Sequence, residues 1–191
     1  GEVEMNDKLV EPALYAVLLG GRAARCNVEL HDVVFAAGDG LESLHEQLLD
    51  AWFGEPKGLH VDAWTRLDRI EGYRVRLDRQ PDSGDQRLWF INIGGYRTGE
   101  FAERHAYAFL AGAGKAEVKE RAKASLLQGH ELVHKDDLLA IDDCLCVDRI
   151  GPWHVRLEAD PDARPAEIVN GYFPLPKSTI AGWIDTRAKK S

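Results

Sequence analysis

Residues Asn27–Gly40 read NVELHDVVFAAGDG, and residues Phe101–Gly114 read FAERHAYAFLAGAG. Both spell Glu-x-His-x-x-x-Phe-x-Ala-Gly-x-Gly, 74 residues apart. The likeness extends outward. When Leu14–Gly40 is laid over Leu88–Gly114, nine of 27 pairs are identical, among them Gly20, Gly21, Glu29, His31 and Phe35. The same offset sets His60 and Asp62 of GLHVD against His134 and Asp136. Six extra residues then enter the second copy, within DDLLAIDDCLC. After them DRIEGYRVRL (Asp68–Leu77) meets DRIGPWHVRL (Asp148–Leu157), with six of ten identical. Self-similarity at fixed spacing marks a duplicated supersecondary unit.

Each copy reads as strand, strand, helix, strand, strand. LYAVLL and LWFINI are apolar runs that end at Gly-Gly, as strands entering loops do. Val28–Ala37 is β-branched and aromatic and predicts a second strand. Gly38 and Gly40 predict a turn with positive φ, after which Asp39 caps a helix and Glu42 reaches back. Leu41, Leu44, Leu48 and Trp52 fall on one helical face, and Gly54 suits the stop. Val118, Ala122 and Leu126 hold the equivalent stripe, which ends near Gly129. Val61–Ile70 and Tyr73–Leu77 form a hairpin across Glu71-Gly72, and the second hairpin turns at Gly151-Pro152.

The fold class expected is therefore α+β, a tandem duplication of a ββαββ unit of the β-grasp, ubiquitin-like roll type. In that roll the first and last strands pair in parallel at the centre, an inference by fold analogy. The rival frame starts at Val28 and gives paired βαβββ units of the vicinal-oxygen-chelate type. The domains expected are a first repeat over 1–81, a second over 88–160, and a segment over 161–191, with Pro81–Gln86 as a polar linker. The last segment carries Ile168, Tyr172, Phe173, Ile180 and Trp183, too many large apolar groups for a disordered tail, so it is expected to dock on the repeats.

The chain has 191 residues, 45% hydrophobic and 29% charged, an ordinary globular balance. Its formal charge of −8 argues against nucleic acid and against an anionic membrane surface, both of which need clustered Lys and Arg. No apolar run approaches the roughly 20 residues of a membrane span. Cys26, Cys144 and Cys146 are too few for a disulfide framework, so a reducing, cytoplasmic compartment is expected. Assembly into a homo-oligomer stays open.

YAVLLGGRAARCNVELHDVVFAAGDG, followed by GLHVDAW and DRIEGYRVRL, resembles an uncharacterised bacterial family known as domain of unknown function 1543. The family occurs in one or two copies per chain. The first copy is the closer to it. The second departs at Gly95-Tyr96-Arg97, where the Arg slips by one place, and at Ala106, where the first copy has Asp32. The resemblance implies a fold unit and no activity.

The groups that could do chemistry recur with the repeat. Glu29 and His31 share a strand face, as do Glu103 and His105. His60 with Asp62, and His134 with Asp136, make a second kind of pair. Imidazole nitrogens and carboxylate oxygens suit a borderline divalent ion, so all eight are candidate metal ligands. In the β-grasp roll, however, the second and third strands lie three spacings apart, about 14 Å. One unit then cannot assemble a site, whereas the barrel frame allows convergence. The structural alternative puts the core under Phe35 and Phe109 and lets the imidazoles hold the Gly-Gly loops. Gly20-Gly21-Arg22 and Gly94-Gly95-Tyr96-Arg97 read as anion cradles with Arg22 and Arg97 as ligand-binding clamps, though neither completes a phosphate-loop or dinucleotide pattern.

Two functional readings follow. The first is a non-catalytic module that binds a small molecule or a protein and needs no cofactor. The alternative is a metal-dependent enzyme in which an ion activates water and a free carboxylate acts as base.

Overall fold

The structure is a computed structural model that describes residues 11–129 and 138–191. In chain order the strands of the first repeat are β1 (Ala13–Arg22), β2 (Leu30–Gly38), β3 (Glu55–Arg66), β4 (Arg69–Ile70) and β5 (Tyr73–Asp78). A 3₁₀ turn at Leu41–Leu44 leads into α1 (His45–Ala51) between β2 and β3. The second repeat gives β6 (Arg87–Tyr96), β7 (Arg104–Gly112), α2 (Lys115–Gly129), β8 (Leu138–Cys146), β9 (Arg149–Ile150) and β10 (Trp153–Ala159). β11 (Val169–Pro174) and α3 (Lys177–Ala188) complete the chain.

The chain divides into two compact units that do not follow the repeat boundaries. Residues 11–66 join Glu167–Ser191, and the described residues between Leu67 and Ala166 form the other unit. In this grouping the last hairpin of the repeat expected over 1–81 lies with the repeat expected over 88–160, and Glu167–Ser191 of the segment expected over 161–191 lies with residues 11–66.

In the first unit the sheet order is β11-β3-β1-β2. β1 is central, and Tyr15–Val17 and Leu19 are buried, so both its faces are covered. Val17, Leu19, Val34 and Ala36 pack against Leu44, Leu48, Leu49 and Trp52 of the helical segment. The core side of β2 is thus Val34 and Ala36, and Phe35 is only half-buried on the other face, which corrects the expected placement. α3 adds Ile180 to this core, and Trp183 Nε1 donates to Asp50 Oδ1 at 2.8 Å. The helical segment starts without a side-chain cap from Asp39. Ser43 does the work instead, its Oγ donating to the Gly40 carbonyl at 2.6 Å and accepting from Asp39 N at 3.2 Å.

In the second unit β7-β6-β8 form one sheet, with α2 packing Val118 and Ala122 on Ile91 and Ile93. β4-β5-β10-β9 form another. Every strand pairing among the described residues is antiparallel. The coarse α+β duplication stands, but neither finer frame describes the pairing. β3 takes the place beside β1 that the β-grasp roll reserves for the last strand, and β5 pairs with β10. The vicinal-oxygen-chelate frame omits β1, which is the strand lying between β2 and β3.

The β5–β10 ladder is symmetric under the repeat. Arg76 faces its own equivalent Arg156, while Val75 faces Leu157 and Leu77 faces Val155. Two like charges opposite each other are unfavourable, and crossed ion pairs offset them: Arg76 Nη1 donates to Glu158 at 3.0 Å, and Arg156 Nη1 to Asp78 at 3.1 Å. Both hairpins turn on a glycine with positive φ, Gly72 (+83°) and Gly151 (+55°).

The linker is also tied down. Asp82 accepts from Gly84 N at 2.9 Å and from Leu157 N at 3.0 Å. Partial burial pushes its carboxyl up, but those two bonds and the nearby Arg87 and Arg156 outweigh it and hold the group below its ordinary value of 3.8. A depressed carboxylate adds stability above its unfolded value and loses it as pH falls through the folded value. Asp82→Asn can accept only one of the two bonds, and its NH₂ then faces the other N–H. It is expected to lower Tm near neutral pH, with the gap to wild type closing in thermal melts as pH falls below 3.8.

Candidate metal centre

Gly20 is the hub of the first repeat. It pairs with His31 of β2 on one side and His60 of β3 on the other. Because β1 lies between them, β2 and β3 are two strand spacings apart, about 9.6 Å, rather than three. One unit therefore does bring the four groups together, which the β-grasp spacing does not allow. A methyl at Gly20 would sit 2.5 Å from His60 Nε2 and 2.6 Å from Asp62 Oδ2, and closer still to Glu29 Oε1. Only glycine leaves room for the side chains to meet over β1.

A β-bulge helps to bring Asp62 in. Leu19 faces Val61 and Leu18 faces Ala63, so Asp62 is the extra residue. Bulges re-aim side chains in this way. His60 Nε2 lies 2.7 Å from Glu29 Oε1 and 3.2 Å from Asp62 Oδ1. His31 Nε2 meets Asp62 Oδ2 at 2.9 Å and Glu29 Oε1 at 3.4 Å. His60 is buried, with its side chain 6% exposed, whereas His31 is open to solvent at 46%.

The other nitrogen of His60 sets the chemistry. Nδ1 lies 2.9 Å from the Gly58 carbonyl oxygen, which can only accept, so Nδ1 carries the hydrogen. Nε2 then points at two carboxylates. A lone pair there would face acceptor oxygens, so a proton or a cation must lie between them. Metal-bound histidines are oriented in the same manner, one nitrogen donating to a carbonyl and the other ligating. Tyr172 covers the imidazole, with ring centroids 4.6 Å apart. It comes from the C-terminal segment, at the register shift of β11 between Asn170 and Phe173.

The second repeat rebuilds part of this. Gly94 pairs with His105 and with Ala140. Ile93 faces Ile141 and Asn92 faces Asp143, so Asp142 is the extra residue of the same bulge. Ala140 thus stands where the first repeat has His60, and Asp142 where it has Asp62. The six extra residues enter before Ala140, which corrects the alignment of His134 and Asp136 to His60 and Asp62; those two residues lie outside the described residues. The offset was legible: Asp62 and Asp142 each precede a DRI by the same distance. A methyl at Gly94 would overlap Glu103 Oε1 and Asp142 Oδ2. His105 Nε2 lies 3.4 Å from Glu103 Oε2, and its Nδ1 lies 3.5 Å from Asp142 Oδ2.

The anion-cradle reading is corrected. Gly20-Gly21 lie inside β1 and Gly94-Gly95 inside β6, not in loops. Carboxylate oxygens already crowd Gly20 and Gly94, and the Trp52 ring lies on Gly21. Arg22 ends β1 and is exposed. Arg97 is half-buried and meets Glu100, which also holds Arg104. Gly38 and Gly40 are not among the positive-φ glycines; Gly38 makes room for Ser43 and Leu44. Of the free thiols, Cys144 is buried and Cys146 exposed. No helix among the described residues is long and apolar enough to cross a membrane.

Comparison with known proteins gives a family. The model of the Domain of Unknown Function (DUF1543) matches twice, over residues 26–77 and 100–149. Glu29, His31, His60 and Asp62 fall in the first match, and Glu103, His105 and Asp142 in the second. No curated protein matches the chain. Among solved structures, the crystal structure of a protein Il1583 from Idiomarina loihiensis is similar, with a TM-score of 0.68 and 31% identity over 87% of this chain and 99% of that one. With both repeats matched and more than half its length covered, the chain belongs to the DUF1543 family.

Proposed function

We propose that the first repeat is a binding module for a divalent transition-metal cation, held by His60 Nε2, Glu29 and Asp62. The observation that carries this reading is the pairing of a buried imidazole, its Nδ1–H fixed on Gly58, with two carboxylates on its free nitrogen. The ligand atoms of these three residues lie within 4.8 Å of one another. With His31 beside them as a second imidazole, these donors suit a borderline ion such as Zn²⁺. His31 holds the Asp62 carboxylate from the solvent side, where it can also turn to ligate.

A second reading has a specific support. Three protein ligands and an open side are the pattern of catalytic rather than closed structural zinc sites. There the ion would lower the pKa of a bound water, and exposed His31 would be placed to move its proton. The exposed Tyr172 ring beside the site would give an organic ligand a flat surface to lie on.

The test is metal content and affinity. Protein purified without chelator is expected to bind Zn²⁺ in calorimetry. At a hundredfold excess over Kd, the ion should raise stability by about 2.7 kcal/mol. His60→Ala should weaken zinc binding at least about a hundredfold, as loss of a buried ligand does at about 1.4 kcal/mol per factor of ten. No bound metal, together with a Tm that neither zinc nor EDTA moves, would sink the reading.

A further inference from the structure

The two repeats share the glycine hub and the bulge but not the donor set. In the second, Ala140 removes the imidazole that His60 supplies in the first. Asn92 appears beside His105 instead. Its Nδ2 donates to Asp143 Oδ2 at 2.9 Å, which turns its Oδ1 toward His105 Nδ1 at 3.1 Å. An amide oxygen only accepts, so His105 Nδ1 carries the hydrogen and Nε2 is left facing Glu103. The Asp143–Asn92–His105 chain thus orients this imidazole as Gly58 orients His60.

We infer that Glu103, Asp142 and His105 form a second cation site, chemically distinct from the first, that takes a harder, oxygen-preferring divalent ion of the Mn²⁺ or Mg²⁺ class. The first cluster gathers two imidazoles, His31 and His60, around its two carboxylates, whereas this one has His105 alone, which makes it the more oxygen-dominated set. Its side chains are between 27% and 37% exposed, and no donor is buried as His60 is. An ion there keeps several waters, as Mg²⁺ and Mn²⁺ do. The inference shares with the proposed function the premise that a glycine-hubbed cluster takes a cation, but it concerns other residues and another ion.

The test uses the full chain with Mn²⁺ as the probe, followed by electron paramagnetic resonance. His60→Ala, which disables the first site, should keep its Mn²⁺ affinity. Adding Asp142→Asn should lower it at least tenfold, and Glu103→Gln in the same background serves if that variant does not fold. Ala140→His in the His60→Ala background restores the missing imidazole and should raise zinc affinity at least tenfold. Mn²⁺ binding that is absent or indifferent to both Asp142→Asn and Glu103→Gln overturns the inference, and so does Ala140→His without a gain in zinc affinity. If zinc binding at the first site fails while Mn²⁺ binding follows Asp142, only the first-site reading falls.

Discussion

Gly20→Ala is expected to abolish zinc binding at the first site while the protein stays folded. Gly20 is not among the positive-φ glycines, so alanine fits the strand backbone. Fewer unfolded conformers would favour the variant by about 0.4–1 kcal/mol. The added methyl, however, lands 2.5 Å from His60 Nε2 and 2.6 Å from Asp62 Oδ2, within the space where the ligands converge. Glu29 can swing to solvent, but buried His60 has little room to retreat. Zinc affinity should fall at least about a hundredfold, or about 2.7 kcal/mol, with Tm changed by only a few degrees. Calorimetry and a thermal melt on the same sample check both halves. Wild-type zinc affinity in this variant would contradict the hub.

Leu48→Ala is expected to do the opposite, with a large loss of stability from a core position outside the ligand set. Leu48 is fully buried on α1, in the core beneath β1. Emptying such a position costs about 2–5 kcal/mol, the lost transfer energy plus the cavity. Against a typical total of about 5–15 kcal/mol, that is a large share. Urea titration followed by circular dichroism should show the midpoint falling with its slope unchanged. A loss under about 1 kcal/mol would mean that the helix does not anchor the sheet. Where enough variant stays folded, its zinc affinity should match wild type, because Leu48 packs on the face of β1 opposite the cluster.

The duplication, the helix stripe and the hairpin turns were legible because each rests on local periodicity or on self-comparison. Strand order was not. β1 is apolar on both faces, so Tyr15–Val17 and Leu19 carry no alternation to show which strands flank them. That hid the short distance between His31 and His60. The bulges at Asp62 and Asp142 have no composition of their own. Gly20-Gly21 looked like a loop because glycine commonly ends strands, whereas here crowding by Glu29, His60 and Trp52 requires it. The chance identity of His134 and Asp136 with His60 and Asp62 drew the gap to the wrong place, although the spacing back from Asp148 pointed to Asp142.

The self-matched ladder of β5 and β10 bears on what duplication does for this chain. Arg76 and Arg156 lie on a local dyad, and their crossed partners Glu158 and Asp78 are repeat equivalents too. A chain with one copy would bring to this ladder only half of an isologous contact, with the edge of its last hairpin bare. A second such chain, turned end for end, would have to supply the missing half with the same residues. Duplication replaces that bimolecular step with an intramolecular one. The joint then holds at any dilution, and its two sides are free to diverge.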